Sequence, residues 1–538
     1  MTFRTAFAAL TLAAVVAPVS AEAQQVLALS AHDQQAYSDA YAAIDAHNWA
    51  GVTRALAHVD DTSLVQSVRG RMLATPAYRA SYSTLNQWLV QNDELGVAHA
   101  VYERAQAARP HRGRGRRRHA IGPEPHAPAE IARRVLPGTA PTPPDDTSYA
   151  RSSLENLTQL VGNGQDDDAK ALGTQMLSGP RAGDAAWELG LVAYRQHDYS
   201  EAARQFETAA AWPYFGGWAS AGANYWAARA NLAAGNAARV SQFLEAAARR
   251  PWTFYGQLAE AQLGRNSALS FDPPRVDGVS LQHFIEAHPE ARRAAALAQL
   301  GRLSEVEAEL RRLHGQLSPD DDPKFLALAI SLQAPSAQLR AAEYGGPEEA
   351  AGFCPNTSFE PADGFALDRA LVYAIVRQES YFNPKAVSVS NARGLMQLLP
   401  STARDMDGTN YRRNPAALFD PNRNMGLGQS YLEWLMSQFH SDGDLARVFA
   451  SYNGGPGWLS RWLATQPADI DPLLMLETMP RTQSRDYAER ALSHMALCRK
   501  RYGQPPVELQ ALAAGRPALY HPMDRATADA GGTTRASQ

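Results

Sequence analysis

Alanine-rich, helix-periodic sequence fills two long stretches of this chain, residues 31–109 and 148–344. Both stretches lack the alternation of apolar and polar residues that half-buried strands show. In the second stretch, Ala193 and Phe206 recur as Ala230 and Phe243, each offset by 37 residues (230 − 193 and 243 − 206). Helix pairs of about this period cannot bury their apolar faces alone and stack into a solenoid. The pattern therefore predicts an all-α chain built around a helical superhelix.

Length and charge limit the organisation further. With 538 residues the chain exceeds what one hydrophobic core usually supports, so several domains are expected. Its net charge of −4 argues against general nucleic-acid binding. We expect an N-terminal helical region at 24–110, a helical superhelix at 148–350, a separate C-terminal domain at 357–505 and a disordered tail at 515–538.

A basic, proline-rich segment interrupts the helical pattern at residues 111–147. Its arginines lie among glycines and histidines, and prolines then crowd from Pro123 to Pro144. Such a composition buries little apolar surface and is typical of a flexible, solvated linker or an exposed loop. The alternative is a basic arm that touches an anionic polymer or membrane headgroups.

The N-terminal residues 1–23 predict export through a signal peptide. Arg4 supplies the positive charge, Phe7 to Val19 is apolar apart from Thr11, and Ala21-Glu22-Ala23 offers a small-residue cleavage site. This apolar run is short for a bilayer-spanning helix, and no later stretch is long enough to span a membrane. We therefore expect an exported protein without stable membrane insertion.

The two cysteines, Cys354 and Cys498, allow two interpretations. An oxidising compartment permits a disulfide between them, although sequence alone does not place the two sulfurs within bonding range. Two buried free thiols are the alternative. With so few cysteines and no paired histidine spacing, we expect no metal site, and we predict no cofactor.

Glu379 is notable because it ends the apolar face of a predicted helix. The apolar residues of that face follow helical spacing: Leu367, Ala370, Leu371, Ala374 and Ile375. Partial burial raises the pKa of a carboxylate and lets it hold a proton near neutral pH, as a general acid requires. Asn383-Pro384 is expected to stop this helix, and Gly394 to open a second helix that reaches about Met406.

Four motifs follow one another in the C-terminal part of the chain. They are Glu379-Ser380, Gly394-Leu395-Met396-Gln397, Ala450-Ser451-Tyr452-Asn453-Gly454-Gly455, and Glu477-Thr478-Met479-Pro480 running to Arg485-Asp486-Tyr487. Together they resemble the catalytic (SLT) domain of soluble lytic transglycosylases, a family related to the goose-type lysozymes. Tyr225 to Arg229 and Phe254 to Gly264 are similar to the helical superhelix of that family. The resemblance implies tetratricopeptide-like helix pairs followed by a lysozyme-like α-helical domain, in a periplasmic enzyme that acts on peptidoglycan glycan strands.

The resemblance also implies a reaction with one carboxylate. Soluble lytic transglycosylases cleave the β-1,4 bond between N-acetylmuramic acid and N-acetylglucosamine, and one glutamate acts first as acid and then as base. The muramoyl 6-hydroxyl takes the place of water, so the product carries a 1,6-anhydromuramoyl end. By this resemblance Glu379 is the catalytic residue.

Seven further residues match substrate-binding positions of the family: Ser380, Gly394, Met396, Gln397, Tyr452, Asn453 and Tyr487. The resemblance implies that Met396 and Gln397 line the sugar cleft and that Gly394 lets the backbone approach the glycan. It further implies that Tyr452 and Asn453 contact the catalytic carboxyl and the substrate's N-acetyl group. The structural alternatives are a helix-end hydroxyl for Ser380, core packing for Met396 and a core tyrosine for Tyr487.

The chain departs from the family pattern at two places. Val389-Ser390-Asn391 stands where the family often has Pro-Val-Gly, and asparagine tolerates the left-handed geometry that such a turn needs. In the last motif Gln483 replaces a glutamate and Ser484 a threonine, which alters hydrogen bonding near the site.

Two other functions stay open at this point. A hydrolytic lysozyme would need a carboxylate or polar residue that positions water, and Asp405 or Asp407 is not excluded from this role, while Asp420 is unassigned. A non-catalytic glycan-binding scaffold has no need of a desolvated acid, so the Glu379 motif argues against it. The sequence identifies no protein partner.

Overall fold

The computed structural model describes residues 28–112, 119–120, 122–139, 141–438 and 440–524. The predicted signal peptide at 1–23, the arginines at 114 and 116–118, and residues 525–538 of the predicted tail lie outside the described residues.

The first part of the described chain holds five helices and two short strands. The helices are α1 (Ala31–Asp45), α2 (Trp49–Leu56), α3 (Val65–Ala74), α4 (Tyr82–Asn92) and α5 (Ala98–Ala108). Strands β1 (His111–Arg112) and β2 (His119–Ala120) pair antiparallel, with His111 opposite Ala120.

Twelve helices of the described chain follow from residue 148 to residue 344. They are α6 (Ser148–Gly162), α7 (Asp166–Met176), α8 (Ala182–Arg195), α9 (Tyr199–Ala210), α10 (Gly217–Ala233), α11 (Ala237–Ala248), α12 (Phe254–Gln262), α13 (Gly278–Ala287), α14 (Pro289–Gln299), α15 (Leu303–Gln316), α16 (Asp322–Ser331) and α17 (Pro335–Tyr344). Short 3₁₀ helices lie at Pro319–Asp321 and Pro347–Phe353.

The C-terminal domain adds eight described helices. They are α18 (Arg369–Ser380), α19 (Pro400–Asp407), α20 (Pro421–Met436), α21 (Leu445–Gly454), α22 (Pro456–Leu463), α23 (Pro472–Glu477), α24 (Thr482–Arg501) and α25 (Val507–Ala513), with a 3₁₀ helix at Pro415–Phe419. None of the helices in the described ranges is both long and apolar enough to cross a bilayer.

One type of turn closes the helix pairs of the superhelix. A residue with positive φ ends the first helix, and the next backbone N–H donates to the carbonyl five residues earlier, as Asn236 does to Asn231 at 2.8 Å. This is the Schellman geometry that stops a helix and satisfies its last carbonyls. The positive-φ residues of six such pairs are His47, Gly164, His197, Gly235, Gly301 and Gln333.

The repeat predicted from the sequence corresponds to two successive helix pairs. Ala193 and Phe206 lie in α8 and α9, while Ala230 and Phe243 occupy the matching places in α10 and α11. Phe206 is fully buried and Phe243 is half-buried. The prediction of an all-α chain with stacked helix pairs is confirmed.

The N-terminal helices pack on the far end of the superhelix. Tyr37 and Val68 share one hydrophobic core with Phe284, Leu310 and Phe325. The backbone N–H groups of residues 28 and 29 donate to the Gln299 side chain at 2.9 and 2.8 Å. The N-terminal region and α13–α17 therefore form one packed unit.

The proline-rich segment is not a free linker where it is described. Residues 122–139, which we call the strap, lie extended against the superhelix. Arg134 forms a bidentate ion pair with the buried Asp322, with Nη2 to Oδ2 at 2.8 Å. Gly217 N–H donates to the Gly138 carbonyl at 3.0 Å. Most of its residues are solvent-exposed, as an exposed loop would be, and backbone hydrogen bonds and an ion pair, rather than apolar burial, hold it in place.

The C-terminal domain docks firmly on α6–α12. One hydrophobic core contains Leu157 and Trp226 of the superhelix together with Leu371 and Leu492 of the domain. The Trp462 indole N–H donates to the Gly162 carbonyl at 3.0 Å across this contact. The two parts therefore pack around one continuous apolar core.

Both ends of the C-terminal domain are fastened. Cys354 and Cys498 form a disulfide with a Cα–Cα distance of 4.9 Å, which resolves the question of their pairing. The Asp368 N–H donates to the Tyr520 hydroxyl at 3.0 Å, and Met523 N–H donates to the Asp368 carboxylate at 2.9 Å. The expected disordered tail is therefore wrong for residues 515–524, because Ala518 and Tyr520 pack against the core of the domain.

Candidate active site

Helix α18 places Glu379 at the edge of the domain core. Its inward face is almost wholly buried, with Leu371 and Ile375 each at 0% exposure. Glu379 continues this face in the last turn and is half-buried. The buried stripe therefore ends in a carboxylate, as the helical spacing predicted.

The helix ends at Ser380, earlier than the Asn383-Pro384 stop signal. Tyr381 and Phe382 both adopt left-handed geometry, with φ of 52° and 61°. Left-handed geometry is strained for bulky residues, so the surroundings must hold it. The Ser336 hydroxyl donates to the Tyr381 carbonyl at 2.7 Å, and the Tyr381 hydroxyl donates to Glu343 at 2.8 Å. Helix α17 thus fixes the turn that follows the candidate acid.

Burial raises the pKa of Glu379 to about 7. A hydrogen bond from the Tyr487 hydroxyl to Oε1, 2.7 Å long, acts in the opposite direction because it favours the ionised form. Near neutral pH both protonation states of Glu379 are therefore populated. A carboxyl with this property can give up a proton and later take one back.

Tyr487 and Tyr452 form a stacked pair beside Glu379. Their ring centroids are 6.2 Å apart and their planes differ by 12°. The hydroxyl that bonds to Glu379 is that of Tyr487, whereas the Tyr452 hydroxyl donates to the Met396 carbonyl at 2.8 Å. The expected contact of Tyr452 with the catalytic carboxyl is therefore made by Tyr487. Tyr452 instead ties the loop at Met396 to the site.

Residues 394–397 form a turn, so the prediction that a second helix opens at Gly394 is wrong. Gly394 and Gln397 have φ of +79° and +47°, and α19 begins only at Pro400. A Cβ on Gly394 would lie 2.2 Å from the Leu418 carbonyl oxygen and 2.4 Å from the Asn424 side chain. Glycine is needed here for the positive φ and for close packing within the protein.

The side chain of Asn424 holds this turn, a role that none of the four motifs indicated. Its side chain accepts from the Met396 N–H at 2.7 Å and donates to the Arg393 and Leu418 carbonyls at 2.9 Å each. The residue is fully buried in α20. The available signal was a polar residue at helical spacing from the apolar Leu432 and Leu435.

Met396 and Gln397 point in different directions. Met396 is fully buried, and its sulfur occupies the space that a Cβ on Gly428 would need, so its side chain packs in the core instead of lining the cleft. Gln397 is half-buried beside Glu379, and its amide donates to the Ala386 and Gly394 carbonyls at 3.0 Å each. Of these two residues, Gln397 lines the open cavity next to Glu379 and Met396 does not.

The remaining motif residues have structural partners. The Ser380 hydroxyl donates to the Val376 carbonyl at 3.0 Å, which is the helix-end role considered as its alternative. Asn453 accepts from the Ser484 hydroxyl at 3.0 Å, so the altered last motif still bonds to the third motif. The turn at Asn391 is retained, with φ of 66°.

Glu379 opens into a cavity of about 1010 Å³ between the domain and the superhelix. We call it the Glu379 cavity. Its wall includes Ser380, Tyr381 and Gln397 from the domain, Trp218 and Trp252 from the superhelix, and residues 136–139 of the strap. Arg377, Arg490 and His494 add polar groups to the same wall. A concave wall that combines apolar surface with convergent polar groups is typical of ligand sites.

Among the described residues that line this cavity, the second carboxylate is Glu343. It accepts from the Tyr381 hydroxyl at 2.8 Å and from Arg377 Nη2 at 3.2 Å. Asp405 instead pairs with Arg404, Asp407 accepts from the Tyr411 hydroxyl at 2.6 Å, and Asp420 caps α20. The three aspartates considered from the sequence therefore lie outside the cavity wall.

The fold and the site define a helical superhelix joined to a lysozyme-like domain with one poised glutamate. Residues 356–472 match the family model of the transglycosylase SLT domain, so the SLT domain predicted from the four motifs is confirmed over this range.

The chain is similar to named lytic transglycosylases. The soluble lytic murein transglycosylase of Escherichia coli (strain K12) is 28% identical over 304 residues, which cover 54% of this chain and 46% of that protein. The putative soluble lytic murein transglycosylase of Haemophilus influenzae (strain ATCC 51907 / DSM 11121 / KW20 / Rd) is 32% identical over 130 residues, 24% of this chain and 22% of that protein. Each match thus spans less than half of the relative's length.

A solved structure extends the likeness in fold to most of the chain. The crystal structure of the 70-kDa soluble lytic transglycosylase from Escherichia coli matches with a TM-score of 0.56 and 17% identity, over 88% of this chain and 97% of that one. At this identity the match shows a shared fold, the all-α superhelix with its lysozyme-like domain.

Proposed function

We propose that this protein is a lytic transglycosylase of the periplasm. It cleaves peptidoglycan glycan strands between N-acetylmuramic acid and N-acetylglucosamine and leaves 1,6-anhydromuramoyl ends. The observation that carries the proposal is Glu379, a half-buried carboxyl with a pKa raised to about 7 that opens into a large cavity. The SLT domain and the murein transglycosylases to which the chain is similar support the substrate class.

In the first step Glu379 acts as the acid. Its protonated form, populated at neutral pH, gives its proton to the glycosidic oxygen as the bond breaks. The resulting carboxylate keeps the hydrogen bond from Tyr487 at 2.7 Å, which stabilises the new charge in a poorly solvated place. Tyr452, stacked on Tyr487, keeps the neighbouring loop in place through the Met396 carbonyl.

In the second step Glu379 acts as the base. It takes the proton of the muramoyl 6-hydroxyl as that oxygen attacks the anomeric carbon, so no water is added. The arrangement of Glu343 supports this route, because its carboxylate is already engaged by Arg377 and Tyr381. A hydrolytic route would need a second group free to position water.

The substrate-binding roles rest on position in the cavity wall. Ser380 and Gln397 line the cavity and present polar groups to the glycan. Gly394 and Met396 act from behind this surface, because they shape the turn that carries Gln397. Asn453 instead links the third motif to Ser484.

Mass spectrometry of muropeptides released from purified sacculi by the full chain tests the proposal. We expect products with anhydromuramoyl ends, and we expect Glu379→Gln to abolish them. Asp405→Asn is the matched control, because Asp405 is exposed and pairs only with Arg404 among its described contacts. Products with reducing ends would indicate a lysozyme instead, and no release by the unaltered chain would favour a glycan-binding scaffold.

A further inference from the structure

The strap crosses from the N-terminal helices to the start of α10 and is fastened along its length. At its beginning, His126 Nε2 lies 2.8 Å from Asp93 Oδ2, and the Ala129 N–H donates to the Asp93 carbonyl at 3.0 Å. Farther along, Arg312 donates to the Ala129 carbonyl at 3.2 Å. These contacts connect the strap to both α4 and α15.

Two contacts show how closely the middle of the strap is packed. The Arg134 guanidinium meets the carboxylate of Asp322, which is only 3% exposed. The strap passes close to α15 at Gly315. A Cβ at this position would lie 1.8 Å from the Ala132 carbonyl oxygen, so only a glycine leaves room for the strap. A buried ion pair and a backbone contact this tight fix the position of the strap.

The end of the strap is a turn that faces the Glu379 cavity. The Thr139 N–H donates to the Leu136 carbonyl at 3.2 Å, and Gly138 has a φ of +75°. The Gly138 carbonyl accepts from the Gly217 N–H, which anchors the turn at the beginning of α10. Residues 136–139 line the same cavity as Glu379, and Leu136 remains 43% exposed.

The wall that the strap completes suits a sugar ring. Leu136 and Pro137 are uncharged, and Trp218 and Trp252 add half-buried aromatic surface to the same cavity. Pyranose rings have apolar faces that pack on such surfaces, while their hydroxyls need only a few polar partners. Arg490, which stacks on Trp218 at 4.7 Å from the ring centroid, supplies polar contacts nearby.

We propose that residues 136–139 of the strap form a fixed part of the substrate site. They contact the sugar residues of the glycan strand that extend from Glu379 towards the superhelix, and so they determine how tightly a strand is bound there. This proposal rests on the proposed function, because it assigns a further binding surface to the same cavity. It requires the strap to stay in place during turnover.

Binding of peptide-free glycan strands by the inactive Glu379→Gln protein tests the contact. Adding Leu136→Asp places a charge on the apolar wall and is expected to weaken binding about tenfold. Adding Arg134→Ala frees the strap from Asp322 and is expected to weaken binding by about fivefold. Arg133→Ala is the matched control: it removes an exposed charge from the same strap and should leave affinity unchanged.

A cross-link tests the requirement that the strap stays fixed. The backbones of residues 138 and 217 touch, because the Gly217 N–H donates to the Gly138 carbonyl at 3.0 Å. Thiols introduced by Gly138→Cys and Gly217→Cys can therefore be joined by a short bifunctional thiol reagent. We expect the cross-linked double variant to release muropeptides at least half as fast as the same variant without the reagent. The cross-linking experiment does not depend on the Arg134→Ala variant, in which loss of the ion pair can also lower the stability of the fold.

The outcomes separate this inference from the proposed function. If Leu136→Asp and Arg134→Ala bind glycan as Arg133→Ala does, the strap is not part of the site even though the enzyme cleaves sacculi. If the cross-link stops release, the strap must move and the fixed-wall proposal is wrong. If the unaltered chain neither cleaves sacculi nor binds strands, the proposed function and the ligand assigned to the strap both fail.

Discussion

The Tyr487 hydroxyl donates a 2.7 Å hydrogen bond to Oε1 of Glu379, and the two residues come from different motifs of the domain. This bond lowers the pKa of Glu379 while burial raises it, and burial is the larger effect. The balance leaves the carboxyl able to exchange a proton near pH 7.

Tyr487→Phe should shift the pH dependence of cleavage. Loss of the hydrogen bond removes a group that favours the ionised form, so the pKa of Glu379 rises above about 7. The alkaline limb of the pH–rate profile should therefore move to higher pH, and the maximal rate should fall about tenfold because the carboxylate is less stabilised. Tyr431→Phe is the control, since that ring packs on Tyr452. An unmoved alkaline limb in Tyr487→Phe would contradict this prediction.

Glu379→Gln should stabilise the fold at alkaline pH. The folded-state pKa of about 7 exceeds the unfolded value, so the folded protein binds more protons between these two pKa values. The contribution of Glu379 to the free energy of unfolding is thus greatest at low pH and falls as pH rises towards and through 7. At pH 8 the variant should gain up to about 3 kcal/mol over the unaltered protein, and near pH 4 the gain should vanish.

Urea unfolding of both proteins at pH 4 and pH 8 measures this difference. Other buried carboxyls titrate in both proteins and cancel in the comparison. A gain that is equal at the two pH values would show that glutamine improves packing and that no titration is involved.

Asn424→Ala should loosen the turn at residues 394–397. The substitution leaves the Met396 N–H and the Arg393 and Leu418 carbonyls without their partner, at a cost of about 2–4 kcal/mol in the free energy of unfolding. Glycan cleavage should fall as well, because Gln397 lies in the same turn. Asn422→Ala, on the exposed side of α20, should change the free energy of unfolding by less than about 0.5 kcal/mol. Equal stability of the two variants would rule out the bracing role of Asn424.

Reduction of the Cys354–Cys498 disulfide should lower thermal stability. The sequence separation of 144 residues makes the loop long, and a chain-entropy estimate for such a loop is up to about 5 kcal/mol. The melting temperature of the unaltered protein should therefore drop in dithiothreitol. A Cys354→Ser, Cys498→Ser double variant should start from the lower value and not respond to the reductant. A response of this variant to dithiothreitol would show that the effect does not come from the disulfide.

Local patterns in the sequence carried the prediction of α18 and its glutamate. The spacing of Leu371 and Ile375 marks one buried face, and a carboxylate on that face is unusual in any helix. The turn at Asn391 was also predictable, since the tolerance of asparagine for positive φ is a local property.

Contacts distant in sequence determined what the patterns missed. Leu395 and Met396 have apolar spacing compatible with a helix, but Asn424, twenty-eight residues later, holds them in a turn (424 − 396). The hydroxyl that donates to Glu379 belongs to Tyr487 and not to Tyr452. Which tyrosine reaches the carboxylate depends on how α24 and α21 pack, and the spacing of the motifs does not encode this packing. The strap was missed for the same reason, since its ion-pair partner Asp322 lies far along the chain.

The disulfide also constrains the order in which the molecule is completed. Cys354 lies just before the SLT domain and Cys498 lies in α24, near the end of the described chain. A chain that emerges from its N-terminus presents the superhelix before the second thiol, which follows the first by 144 residues. The covalent closure can therefore occur only after residue 498 has reached an oxidising environment. Until that moment no covalent bond joins the segment that precedes α18 to α24, so the contact between Glu379 and Tyr487 depends on noncovalent packing alone.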